Sequence, residues 1–106
     1  MEIPDPIKED IDEIGGLDEI TRRIPGAPTI EKRSRIFKAL ADPLRLKIIL
    51  LLEVQPLCAC CIKELLDISD SKLSYHLSQL RDADLITGKQ EKNWIIYRNT
   101  DPGRTG

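Results

Sequence analysis

The chain has no long apolar run, one histidine, and no cysteine outside a single four-residue stretch. Its longest aliphatic segment, residues 48–52, is far below the roughly 20 apolar residues of a bilayer-spanning helix. The N-terminus, Met1-Glu2-Ile3-Pro4-Asp5, lacks the basic and apolar regions of a secretory signal. These absences lead to the expectation of a cytoplasmic protein with no membrane partner. In such a reducing compartment three clustered thiols read as free cysteines, metal ligands or redox centres rather than structural disulfides.

A strong basic excess is also missing. The net charge of −2 and a pI near 5.4 look wrong for a nucleic-acid binder, but the average hides an asymmetry. Residues 1–29 carry three basic and eight acidic side chains, whereas residues 30–106 carry thirteen and ten. A modestly basic body behind an acidic arm permits DNA binding, which depends on local charge.

What is present is helical periodicity followed by a β-rich end, in a chain of single-domain size at 106 residues. Ile7, Ile11 and Ile14, then Leu17, Ile20 and Ile24, recur at helical spacing on either side of Gly15-Gly16. They predict two short helices in an arm over residues 1–28, packed on the body or on a partner subunit, with Gly26-Ala27-Pro28 as a hinge. Thr29 is placed to cap a helix to about Ala41, with Ile36, Phe37, Leu40 and Ala41 as its apolar stripe. Asp42-Pro43 is a restart signal, an N-cap residue followed by a proline suited to the first helical position. The helix to about Val54 is apolar almost all round and reads as the central core helix.

The cysteines, Cys58, Cys60 and Cys61, open a helix of about eight residues. Ser69 caps the next helix, whose Leu73, Leu77 and Leu80 face inward. Its other sides show Ser71, Lys72, Ser74, Tyr75, Ser78 and Gln79, the pattern of a helix-turn-helix pair. Residues 85–88 and 94–97 are β-rich, around a charged tip at residues 89–93 where Asn93 suits a left-handed turn. The fold class is therefore mainly α with a small β-hairpin: a winged helix-turn-helix over residues 29–100, with 101–106 a flexible tail.

Thiolates are soft ligands suited to As(III), Sb(III), Cd(II), Pb(II) or Zn(II), and a helix N-terminus lowers thiol pKa. In a regular helix Cys58 and Cys61 share one side and Cys60 points elsewhere; extended residues at the start let Cys58 and Cys60 converge. Binding by all three requires local unwinding in this reading. The plainer alternative is that the thiols fill the core, as free cysteines often do.

Ala39-Leu40-Ala41-Asp42-Pro43-Leu44-Arg45-Leu46, Leu57-Cys58-Ala59-Cys60, Ser74-Tyr75-His76-Leu77-Ser78-Gln79-Leu80 and Trp94-Ile95-Ile96-Tyr97-Arg98 together resemble the ArsR/SmtB family of metal-responsive repressors. The resemblance covers about residues 34–99. It implies a homodimeric winged-helix repressor that leaves its operator when an inducing ion binds, with As(III) or Sb(III) the first choice. His76, three residues after Leu73 and one before Leu77, is expected to be semi-buried at the edge of the core stripe, and the resemblance makes it part of the DNA-reading helix rather than a ligand. Where arsenic-responsive members often carry a third cysteine, this chain has Lys63, its third thiol being Cys61. Asp84 and Lys92 stand where members commonly have glycine. The single histidine excludes the family's His-containing zinc site. That site lies on a further C-terminal helix which these residues do not show, so the arm is expected to supply dimer contacts.

Ser71, Lys72, Ser74, Tyr75, His76 and Gln79 are the expected DNA-reading residues, with Lys89, Lys92 and Arg98 of the wing following the backbone. A dimer would read a double-stranded operator with inverted-repeat symmetry. The alternatives are a thiol redox or persulfide-responsive regulator on the same scaffold, and an interaction module without DNA. A thiol enzyme is disfavoured: no strand precedes the cysteines, and the one histidine lies on another helix.

Overall fold

The computed structural model describes residues 2–100, so the expected tail lies outside the described residues. In chain order the elements are α1 (Asp5–Ile14), α2 (Leu17–Arg23), α3 (Ala27–Leu40), α4 (Pro43–Val54), β1 (Leu57–Cys58), α5 (Ala59–Leu66), α6 (Asp70–Asp82), β2 (Ile86–Glu91) and β3 (Trp94–Asn99). They fall into two units, one ending at Glu31 and one beginning at Lys32. No described helix is long and apolar enough to cross a membrane.

The first unit has the two expected helices. Gly15 ends α1 at φ 117°, a left-handed conformation that a side chain would strain, and its N–H donates to the Ile11 and Asp12 carbonyls. Neither α1 nor α2 contains a buried residue, so this unit has no core of its own. The expected hinge is instead a helix start. The Gly26 carbonyl accepts from the N–H groups of Thr29 and Ile30, so α3 begins at Ala27 and Thr29 is not its cap. Pro28 sits in the first turn, where a missing N–H costs nothing.

In the second unit, Asp42 caps α4 as expected, its Oδ1 accepting from Leu44 N at 2.8 Å and Arg45 N at 3.2 Å. The inner face of α4 is Ile48, Ile49 and Leu52. Leu46, Leu50 and Val54, spaced four apart, are exposed, so α4 is not buried all round as its composition suggested. On α3 the buried residue is Ala39, flanked by Ile36 and Leu40, while Phe37 is 70% exposed. Ser69 caps α6 by accepting from Lys72 N at 3.2 Å, and Leu73, Leu77 and Leu80 enter the core as predicted. Ile48, Ile62, Leu80 and Leu85 are fully enclosed, which ties α4, α5, α6 and the entry to the wing together. Each such aliphatic stabilises the fold by about 1.5–3 kcal/mol.

The wing hairpin forms as expected and gains a third strand. The antiparallel order is β1-β3-β2, with Leu57 opposite Tyr97 and Cys58 opposite Ile96. Strands β2 and β3 run from the Ile86–Asn99 pair to the Glu91–Trp94 pair, leaving only Lys92 and Asn93 in the turn. The left-handed residue is Lys92 (φ 56°) rather than Asn93. In so tight a loop the first central residue must take positive φ, and Gln90 Nε2 donates to the Lys92 carbonyl at 2.8 Å. Asp84, at φ 59°, is the other predicted glycine-like position. Asn99 joins β3 to α4 through a buried hydrogen bond from its Nδ2 to the Ile49 carbonyl, 3.0 Å long.

Candidate metal centre and nucleic-acid interface

The cysteines sit where β1 becomes α5. Cys58 is extended (φ −79°, ψ 161°) and holds the N-cap position, while Cys60 and Cys61 lie in the first helical turn. This bend at Cys58 folds its side chain back over the turn that follows. The sulfurs of Cys58 and Cys61 share a hydrogen bond of 3.4 Å, and all three sulfurs lie within 4.8 Å of one another. With metal–sulfur bonds of roughly 2.3 Å, two thiolates on one ion stand at most about 4.6 Å apart. Three thiolates around one ion stand closer, about 4.0 Å apart in a trigonal plane. The 3.4 Å Cys58–Cys61 pair already lies within that spacing, and the wider separations, up to 4.8 Å, would have to close. Cys60 converges with its neighbours instead of pointing away.

Cys60 and Cys61 are exposed and Cys58 is half-buried, so none of the three fills the core. A strand does reach the cysteines: β1 itself contains Cys58. An open apolar hollow of about 500 Å³, bordered by Leu57 and Leu65, lies beside Cys60 and Cys61. Lys63 forms a 2.9 Å ion pair with Asp70 at the start of α6.

The thiols do not share one pKa shift. The Cys60 thiol and then the Cys61 backbone N–H stabilise the Cys58 thiolate and lower its pKa to about 7. Cys58 in turn raises Cys60, and it pushes Cys61 up to about 11. The expectation that a helix N-terminus lowers every thiol thus holds for Cys58 alone, because the first negative charge in so tight a group opposes the next.

On α6, Ser71, Lys72, Ser74 and Tyr75 are exposed and Gln79 is half-buried, forming one polar surface. His76 is corrected: grouped with the DNA-facing residues on sequence, it is only 5% exposed and shares the inner face with Leu73, Leu77 and Leu80. Burial holds its pKa below that of an ordinary imidazole. Its Nδ1 lies 3.3 Å from Arg45 Nη1. A guanidinium only donates, so Nδ1 is the acceptor and the ring proton sits on Nε2. Arg45 also donates from Nε to the Ala39 carbonyl at 2.7 Å, which joins α3, α4 and α6. On sequence Arg45 is one of the charged residues that interrupt an apolar helix, and its signal is its spacing of three and four from Ile48 and Ile49, which sets it beside the inner face.

On the wing, Lys89 and Lys92 are exposed. Arg98 is half-buried, and its Nη2 pairs with Glu91 Oε1 at 3.1 Å. A phosphate would have to compete for it.

A family model described as bacterial regulatory protein, arsR family, matches residues 42–87. A relative from Halobacterium salinarum is 36% identical over 99 residues, covering 92% of this chain and 74% of its own. The arsenical resistance operon repressor of Bacillus subtilis is 41% identical over 73 residues, covering 68% of this chain and 70% of that protein. Among solved structures, a homodimeric winged helix-turn-helix DNA-binding domain from Mycobacterium bovis superposes with a TM-score of 0.70 at 26% identity. It covers 74% of this chain and 75% of its own.

Proposed function

The chain belongs to the arsR family of bacterial regulatory proteins, DNA-binding transcriptional repressors rather than enzymes, and from that premise we propose that its cysteine cluster is the inducer site. In this reading Cys58, Cys60 and Cys61 take a thiophilic ion, As(III) or Sb(III) ahead of Cd(II), Pb(II) or Zn(II), and the protein leaves its operator. The observation that carries it is three thiols within 4.8 Å at the junction of β1 and α5. Drawing the sulfurs together moves Cys58 against two fixed neighbours, the first turn of α5 and the paired strand β3. Helix α5 leads into α6, and β3 is half of the wing, so both DNA-contacting elements feel the movement. Ser71, Lys72, Ser74, Tyr75 and Gln79, with Lys89, Lys92 and Arg98, are the proposed DNA contacts.

The homodimeric Mycobacterium bovis relative supports a dimer here too, and with it an operator of inverted-repeat symmetry. The aliphatic stripe of residues 1–28 is the part of that interface we assign to the arm, because α1 and α2 bury nothing among themselves.

A second reading rests on the 3.4 Å contact between Cys58 and Cys61. A low-pKa thiolate beside a protonated thiol can close to a disulfide, giving two electrons and the one remaining thiol proton to an oxidant such as a peroxide. One titration separates the two readings. A promoter duplex is bound under reducing conditions, As(III), Sb(III) and Cd(II) are added in turn, and thiolate absorbance is followed alongside. Release by an ion at stoichiometric concentration supports the inducer reading. Release by peroxide alone, with no response to any ion, defeats it.

A further inference from the structure

A cleft of about 360 Å³ separates the end of α3 from the outer face of α6. Its walls include Arg35 and Lys38 from α3, Arg45 from α4, and Tyr75, Gln79 and Asp82 from α6. Three cations therefore face one carboxylate. Among the described residues none of the three forms a salt bridge, not even with Asp82 in the same wall. Like charges gathered in a concavity in excess of the carboxylate beside them favour an external anion.

Arg45 is the fixed member. Its Nε and Nη1 are engaged by the Ala39 carbonyl and His76, and Nη2 has no partner among the described residues. Arg35 and Lys38 are exposed and adjustable. The opposite wall carries Tyr75 and Gln79, which project from the polar face of α6 toward the proposed base edges.

A helix with its side chains is about 10–12 Å across, and the major groove is about 12 Å wide. A helix seated there has a phosphate backbone close along each flank. We propose that this cleft receives a backbone phosphate of the bound duplex, so that α3 and the start of α4 belong to the DNA interface with α6 and the wing. The inference rests on the reading that α6 enters DNA. The cleft's part in it is to fix the position of the helix without reading sequence.

The test uses the full chain with two duplexes, a promoter fragment and one of unrelated sequence. The double variant Arg35→Gln, Lys38→Gln is compared with wild type across salt concentrations. Both side chains are exposed, so an unchanged melting curve is expected and certifies the fold. The expected result is about tenfold weaker binding to both duplexes. The slope of log K against log salt should become shallower by about 0.9 for each phosphate that is no longer neutralised. Unchanged affinity and slope, with wild type binding DNA normally, overturn the cleft while leaving the DNA-binding reading intact. No salt-sensitive binding by wild type overturns that reading instead. A loss confined to the promoter duplex means the cleft reads sequence, and the proposal fails. Retained DNA binding with weakened affinity for inorganic phosphate marks a small-anion site, and it fails again.

Discussion

Cys58 is paired across the sheet with Ile96, so the half-buried residue of the cysteine cluster and the middle of the wing strand belong to one hydrogen-bonded ladder. A second connection runs through α5 to α6, helped by the Lys63–Asp70 pair, which as an exposed contact contributes about 0–1 kcal/mol at most. The ladder is the stiffer link. Ion binding is therefore expected to shift the backbone amide resonances of Ile96 and Tyr97 as strongly as those of the first turn of α6. Changes confined to α5 and α6 in a titration with Cd(II) would show that the sheet does not carry the signal.

Thiol chemistry at the cluster should be ordered by pH. With its pKa near 7, Cys58 is about half ionised at neutrality, whereas Cys61, near 11, stays protonated until strongly alkaline conditions. The thiolate is the reactive form, so iodoacetamide should label Cys58 first, its rate rising through pH 7 and levelling above it. Cys61 is held up chiefly by its contact with Cys58. Cys58→Ser should therefore lower the Cys61 pKa and speed its alkylation at pH 9. Mass spectrometry of the labelled peptides reads both outcomes, and equal labelling of all three thiols at pH 7 would contradict the ordering.

The parts of this fold that were legible in the sequence are those decided within a few residues. Asp42 and Ser69 announce their caps, and Leu73, Leu77 and Leu80 announce the inner face of α6, because caps and helical spacing are local. Strand β1 was not legible, since two residues show no period and its partner lies at the far end of the domain. His76 was legible as semi-buried from its spacing to Leu73 and Leu77, while its full enclosure depends on the packing of α6 against its neighbours. The convergence of the three thiols depended on the extended backbone of Cys58, which spacing alone left open. The cleft of Arg35, Lys38 and Arg45 needs two helices at a particular packing distance, and no motif encodes that.

Gly88 is fixed by Tyr97. The two are paired across β2 and β3, and a Cβ on Gly88 would stand 2.8 Å from Cε1 and 3.2 Å from Cδ1 of the Tyr97 ring. That ring is 6% exposed and cannot swing aside without leaving the core. Gly88→Ala should therefore destabilise the protein by about 1–3 kcal/mol, the usual cost of overpacking. Adding Tyr97→Leu should make the pair of changes cost less than their sum, because the smaller side chain removes the clash. Strictly additive losses in urea denaturation would mean that the strain lies elsewhere.

The number of thiols in the site can be read from single substitutions. Cys58→Ser with Cys60→Ser removes two of three ligands and should leave DNA binding intact while abolishing release by As(III). Unfolding of that variant would instead mark the cysteines as structural, which the exposure of Cys60 and Cys61 argues against. Cys61→Ser is the sharper case. Its sulfur is 3.4 Å from that of Cys58, closer than the 4.8 Å that bounds the whole group, so as a third ligand it needs little movement. Losing it should weaken As(III)-driven release by at least about tenfold, or roughly 1.4 kcal/mol of binding. Cys60→Ser should do the same, because each removes one of three equivalent bonds. If Cys61→Ser responds to As(III) like wild type while Cys60→Ser does not, the inducer is held by Cys58 and Cys60 alone and Cys61 is a neighbour that tunes their protonation.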